Sequence, residues 1–127
     1  MNLVEIIPLH LIGNDERGNT YDFSIRDTSN FILITRKTGS QSGNTYHKGE
    51  NSRTNPKIFV LLSGVIEFSY RYIEQTKITT EIINVASVIK IQPLVTHAVK
   101  AISDIMILEC NAIKDIQGDR YHLNVQP

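Results

Sequence analysis

The clearest alternation of apolar and polar positions lies in residues 65–73. Ile66, Phe68, Tyr70 and Tyr72 share one side of an extended chain, while Glu67, Ser69 and Arg71 share the other. Period two is the strand signature, because successive side chains of a pleated chain point to opposite faces. Apolar residues 4–12 predict another strand, closed by the turn cluster Gly13-Asn14-Asp15-Glu16-Arg17-Gly18-Asn19. A short strand is expected over 22–25 and a better one over Phe31-Ile32-Leu33-Ile34-Thr35. The polar stretch 37–55 reads as a long loop with a short strand near 45–47. Loops beyond about 12–15 residues are uncommon and tend to carry function. Residues 57–62 form a compact apolar run, broken at Ser63-Gly64, and residues 74–77 form a turn. Strands then follow over 78–85, 87–91, 97–101 and 105–109, with Pro93 as a break because it has no ladder donor. The tail, 111–127, is polar and weakly periodic. No helix of convincing length, repeat or low-complexity segment stands out. Roughly eight to ten short strands with turn signals between them predict an all-β sandwich or barrel of jelly-roll type.

Composition points the same way. The chain has 19 Ile, 8 Val and 9 Leu but only 4 Ala. β-branched side chains suit pleated sheets, whereas Ala is the best helix former, so a helical bundle is disfavoured. The 127 residues suit one domain with its own core. The single Cys110 excludes an internal disulfide and thiolate-rich zinc sites. Thirteen basic and thirteen acidic side chains argue against a general nucleic-acid or membrane-surface binder. No apolar run reaches the roughly 20 residues that span a bilayer. With no secretory-signal pattern at the N-terminus, the expected setting is the reducing cytoplasm.

Four histidines carry candidate chemistry: His10, His47, His97 and His122. His47 and His97 each lie at or just before an expected strand and beside turn residues. Imidazole titrates near neutrality and ligates metals, so two convergent rings would transfer a proton or hold a metal. Isolated histidines more often occupy surface or satisfied positions, and fifty residues of separation carry little spacing information.

The sequence around the pair is more specific. Gly43-Asn44-Thr45-Tyr46-His47-Lys48 precedes Pro56-Lys57-Ile58-Phe59-Val60-Leu61-Leu62-Ser63-Gly64, and later comes Pro93-Leu94-Val95-Thr96-His97-Ala98. Over about residues 30–109 this resembles the cupin superfamily, whose first motif runs G-x5-H-x-H-x3,4-E-x6-G. The carry-over is incomplete. With His47 in the H-x-H pair the other histidine falls on Thr45 or Gly49, and the motif glutamate falls on Lys57. Only the third histidine survives, as His97. A lysine beside two imidazoles would repel a divalent ion. The resemblance so read implies no tightly bound metal; a rebuilt metal site would use His47, His97 and Glu50. Asp15-Glu16-Arg17-Gly18 and Ser42-Gly43-Asn44-Thr45-Tyr46-His47 are similar to stretches of cupin-fold nucleotide-sugar epimerases, 3,4-ketoisomerases and capsular-polysaccharide reductases. The tail with Asp115, Asp119 and Tyr121 loosely resembles the same group.

The resulting expectation is a single-domain cupin-like jelly-roll β-barrel over residues 1–127, with 111–127 as an arm crossing the barrel or a neighbouring subunit. Residues 4–12 are a candidate for exchange or sheet extension in a homodimer. The resemblance implies a cofactor-free protein of polysaccharide biosynthesis that binds, isomerises or epimerises a nucleotide-linked sugar. Here His47 is the catalytic base and Thr45, Lys57, Phe59, Phe68, Tyr70 and His97 are ligand contacts. Lys57 would meet an anionic group, although it also fits an exposed strand-edge charge. Phe68, Tyr70 and Tyr72 fit either a stacking wall or core. A non-catalytic small-molecule-binding cupin and a metal-dependent one remain the alternatives. Partners are a small sugar-type or anionic ligand and a second copy, with neither nucleic acid nor membrane.

Overall fold

The computed structural model describes residues 2–26 and 30–127. Twelve strands are present among them. In chain order they are β1 (Val4–Pro8), β2 (His10–Asp15), β3 (Gly18–Asp22), β4 (Ile32–Arg36), β5 (Gln41–Tyr46) and, after a 3-10 turn at Ser52–Thr54, β6 (Lys57–Ser63). Next come β7 (Ile66–Tyr72), β8 (Thr79–Ile83), β9 (Ser87–Ile91), β10 (Val95–Ala101) and β11 (Ile105–Glu109). A five-residue helix, α1 (Ile113–Gln117), and β12 (Tyr121–His122) end the chain.

Two five-stranded antiparallel sheets face each other. One has the order β1-β9-β6-β11-β4 and the other β12-β5-β10-β7-β8. The expected all-β jelly roll is therefore built as two facing sheets; they do not close into one hydrogen-bonded barrel. Phe59, Leu61, Ile66, Phe68, Ile89, Ile91, Val95, Val99, Ile105 and Ile107 fill the space between them. Lys57, Phe59 and Leu61 of β6 face that interior. Ile58 and Val60 face the opposite side, where Val88, Cys110, Leu9 and Ile25 cover them. Burial on both faces explains why this strand reads as an unbroken apolar run rather than an alternation.

Three local expectations change. The break at Leu9 splits residues 4–12 into β1, which pairs with β9 of its own sheet, and β2, which forms a separate ribbon with β3. The strand expected over 22–25 lies earlier, at Gly18–Asp22. The long polar loop contains the six-residue β5. Its polar inward positions resemble a loop in sequence because they line a cavity rather than a core.

The tail crosses its own fold. β12 pairs with the edge of β5, and the Arg71 guanidinium donates to the carbonyls of Val125 at 2.7 Å, Asn124 at 2.8 Å, Gln75 at 3.0 Å and Ile73 at 3.1 Å. A buried guanidinium satisfied by carbonyls in place of a carboxylate staples residues 124–125 to β7. The Asn44 carbonyl accepts from Leu123 N at 2.9 Å, and its side-chain Oδ1 accepts from Val125 N at 3.0 Å.

Candidate functional site

A cavity of about 430 Å³ lies toward one end of the space between the sheets. Residues of β4, β5, β6, β10 and β11 line it together with α1, Arg120 and His122. Its polar wall follows from strand register. Thr45 of β5 stands opposite His97 of β10 on one side and His122 of β12 on the other. Cross-strand partners share a face, so these three side chains form one row. His47 lies two residues beyond Thr45.

A bulge aims this wall. The pairing of β10 with β5 shifts between His97 and Ala98, where Asn44 takes φ 58° and Gly43 φ 107°. A bulge adds a residue to one strand and redirects the side chains after it. A Cβ on Gly43 would sit 2.7 Å from the His97 carbonyl oxygen, which is main chain and cannot swing away. Gly43→Ala is expected to lower stability by about 2 kcal/mol or more in chemical denaturation.

Main-chain carbonyls set both rings. His47 Nδ1 meets the Asp119 carbonyl, and His97 Nδ1 lies 3.1 Å from the Val95 carbonyl. A carbonyl only accepts, so in the neutral ring Nδ1 carries the proton and Nε2 keeps its lone pair. Asp119 itself is locked. Its fully buried carboxylate accepts from Thr54 Oγ1 at 2.6 Å and from the amides of Lys48 and Glu50, each at 2.8 Å. Burial alone would raise its pKa, but these hydrogen bonds outweigh it and hold the carboxyl below its ordinary value.

Burial pushes the His47 pKa down, and the nearby Lys57 charge pushes the same way. The Asp119 carbonyl and the charges of Asp119 and Glu109 partly restore it. Burial pushes His97 down to about 4, helped by the charges of His47 and Lys57. A histidine whose folded pKa is depressed stabilises the fold above its unfolded value, near 6.5, and loses that contribution as pH falls toward the folded value. Stability measured by urea titration is thus expected to be level above neutrality and to fall between pH 6.5 and about 4, with up to ~3 kcal/mol from His97.

Thr45, His47, Lys57, Phe59 and His97 all line the cavity. Phe68 and Tyr70 stand outside that lining. Phe68 is fully buried core, its ring 5.9 Å from Phe59 and 6.1 Å from His97, so it backs the wall. The Tyr70 hydroxyl donates to Glu81 at 3.2 Å. Lys57 is buried rather than exposed at a strand edge, and it forms an ion pair with Glu109. Glu50 accepts a hydrogen bond from the Tyr121 hydroxyl at 2.5 Å and is not among the residues lining the cavity. Among the described residues, no three His, Cys, Asp or Glu side chains are placed as a metal-holding group, so the rebuilt set of His47, His97 and Glu50 does not assemble.

Arg36, Glu109 and Arg120 are cavity residues that the sequence reading did not single out, and His122, named there only as one of four histidines, joins them. Two of them had a signal. Ile32-Leu33-Ile34-Thr35-Arg36 and Ile105-Met106-Ile107-Leu108-Glu109 alternate with period two, which places Arg36 and Glu109 on the same face as the isoleucines. No local pattern placed Arg120 or His122 there, because only the path of the tail brings them to the cavity. Among the described residues neither Arg36 nor Arg120 pairs with a carboxylate.

Two facing antiparallel sheets around such a cavity form a jelly-roll fold. Among solved structures the fold is similar to the sugar 3,4-ketoisomerase QdtA from Thermoanaerobacterium thermosaccharolyticum in complex with TDP, with TM-score 0.70 and 16% identity over 94% of this chain and 87% of that one. A dTDP-4-dehydrorhamnose 3,5-epimerase from Sulfolobus tokodaii matches with TM-score 0.70 and 15% identity, over 94% of this chain and 76% of that one. The capsular polysaccharide assembling protein CapF from Staphylococcus aureus matches with TM-score 0.60 and 22% identity over 93% of this chain. The chain spans about a third of CapF, 35% of its length. At these identities the likeness is one of fold. No family model matches the chain, and no curated protein matches it.

Proposed function

We propose that the protein binds a nucleotide-linked keto-sugar and moves a proton beside its carbonyl, without a metal. The observation that carries this is the neutral His47, buried and held by Asp119, facing a cavity that also holds Lys57, Arg36 and Arg120. His47 Nε2 takes the proton from the carbon next to the ketone, and the electron pair passes to the carbonyl oxygen. The Lys57 ammonium stabilises the resulting enolate. The imidazolium then returns the proton to the same carbon, or to the former carbonyl carbon while the adjacent hydroxyl gives its proton to the former carbonyl oxygen. Arg36 and Arg120 suit a diphosphate, since each guanidinium presents paired donors to phosphate oxygens. The fold neighbours include a ketoisomerase in complex with TDP-4-keto-6-deoxyglucose, which supports this substrate class. A cytoplasmic setting and a role in polysaccharide assembly belong to the same proposal; among the described residues no helix is long and apolar enough to cross a membrane.

A homodimer is part of the reading. The ribbon β2–β3 joins neither five-stranded sheet, yet it exposes Leu11, Ile12 and Tyr21 at 47%, 59% and 45%. An isolated two-stranded ribbon is marginal in water, and a second copy would cover it. Sedimentation equilibrium is expected to show a dimer at micromolar concentration; a monomer would remove this element.

The reaction is tested by incubating the protein with TDP-4-keto-6-deoxyglucose in D₂O and following deuterium at carbons beside the ketone by NMR. Exchange supports the proposal. Binding without exchange leaves a non-catalytic sugar-nucleotide binder, and the absence of both across a nucleotide-sugar panel overturns the reading.

A further inference from the structure

We infer that residues 112–118 form a strap that closes over the ligand in the cavity: it is pinned at Asn111 and Asp119, and it packs Ile113 and Ile116 onto what is bound there. For the ligand that tests it, the inference rests on the keto-sugar reading.

The pins are buried and the segment between them is not. Asn111 and Asp119 are both fully buried. Asn111 Nδ2 donates to the Arg53 carbonyl at 2.7 Å. The Asp119 carboxylate accepts from Thr54 Oγ1 and from the amides of Lys48 and Glu50. Both pins thus fasten to one place, the 3-10 turn Ser52–Thr54 and the loop leading into it. Between them every residue of α1 is at least partly exposed. Its hydrogen bonds are local: Ala112 N donates to Asp115 Oδ2 at 3.2 Å, and Gly118 N donates to the Lys114 carbonyl at 3.1 Å. The ion pair of Asp115 with Arg53 is long, at 3.8 Å. Isolated helices shorter than about 12–15 residues are marginal in water, and a segment with few buried contacts opens at little cost. The chain here is fixed at two points and deformable between them.

One face of the strap looks inward. Ile113, Ile116 and Gln117 line the cavity, as residues three and four apart on one helix face do, whereas Asp115 turns to Arg53. Ile113 nevertheless remains 60% exposed. An isoleucine that lines a cavity and keeps most of its surface in water has apolar area left to bury, and a ligand in the cavity supplies the second surface. Closure also expels water from around the reacting carbons.

The pins give that closure its use. The Asp119 carbonyl accepts from His47 Nδ1, and Asn111 Oδ1 lies 3.5 Å from Lys57 Nζ. The two fixed points are therefore the residues that touch the proposed base and the proposed enolate-stabilising ammonium. Ala112 and Gly118, the small residues beside the pins, are the hinges. Ile113 and Ile116 move onto the ligand while His47 and Lys57 keep their places.

Amide hydrogen exchange read by mass spectrometry tests this in His47→Asn, where TDP-4-keto-6-deoxyglucose does not turn over. At saturation the amides of residues 113–118 are expected to exchange at least about tenfold more slowly, a larger change than in the strands. Adding Ile113→Ala and Ile116→Ala keeps good helix formers but removes the apolar surface. That variant is expected to keep its urea midpoint, lose most of the protection and release the ligand about tenfold faster in stopped flow. Calorimetry on the same samples establishes that ligand is bound. Strap amides that exchange equally fast with ligand bound, protection spread evenly over the fold, or unchanged release from the alanine variant each overturn the inference and leave the keto-sugar reading standing. No binding by calorimetry, to these variants or to the wild type, defeats the keto-sugar reading and the inference with it.

Discussion

His47→Asn is expected to slow solvent deuterium exchange into a nucleotide-linked keto-sugar by about 10²–10⁴-fold, the range typical for loss of a positioned general base. Asparagine is the sharper substitution. Its amide can still donate to the Asp119 carbonyl, whereas alanine leaves that buried oxygen unpaired at a cost of about 1–3 kcal/mol. The asparagine variant therefore removes the lone pair at Nε2 while largely sparing the fold. Ligand affinity should change little, because the Arg36 and Arg120 contacts proposed for the diphosphate are untouched. The pH profile adds a second constraint. The base works only when neutral, and burial lowers its pKa below the ordinary value, so the exchange rate should hold to lower pH than a free imidazole allows. NMR-detected exchange in D₂O reads both quantities. Wild-type-like exchange in His47→Asn would place the base elsewhere in the cavity.

The sheets were legible in the sequence because burial on one face writes an alternation that the eye can follow. Ile66, Phe68 and Tyr70 are the clearest case, and the ladder pairs them with β8 and β10 as alternation requires. β5 was read only in part, near 45–47, because its inward positions are Ser42, Thr45 and a bulged Asn44, which face a cavity or the tail rather than oil. A strand that lines a binding space loses the apolar period that identifies strands. The site divides in the same way. His47 and His97 stood out as residue types that carry chemistry. Glu109 was written in the alternation of β11, but it ends an apolar run and resembled a strand terminus. Asp119, Arg120 and His122 are tied to the site by tertiary contacts alone: a carboxylate reaching amides about seventy residues away, and a two-residue strand on the edge of β5. Local pattern holds no record of such pairings.

Lys57 shows how much an unseen partner changes an electrostatic argument. Read alone, an inward lysine in a neutral chain is a free cation for an anionic ligand. In the fold it lies 4% exposed against Glu109, with Asn111 Oδ1 at 3.5 Å, so most of its field is spent inside the cavity wall. Removing one member of such a pair strands the other charge. Lys57→Met is therefore expected to destabilise the protein by about 3–5 kcal/mol, read as a lower urea midpoint. Glu109→Gln should destabilise less, because the amide oxygen still accepts from the ammonium and the Glu109 side chain is partly open, 17% exposed. The double variant Lys57→Met with Glu109→Leu is expected to recover most of the loss, since an apolar pair of similar volume often matches a buried ion pair in stability. Function separates from stability in that double variant. It should fold and still bind a nucleoside diphosphate through Arg36 and Arg120, yet exchange deuterium poorly, because no ammonium remains to receive the enolate. Near-normal exchange in the refolded double variant would show that Lys57 serves the wall and not the reaction, and a loss of diphosphate binding would show that its charge, despite Glu109, reaches the ligand.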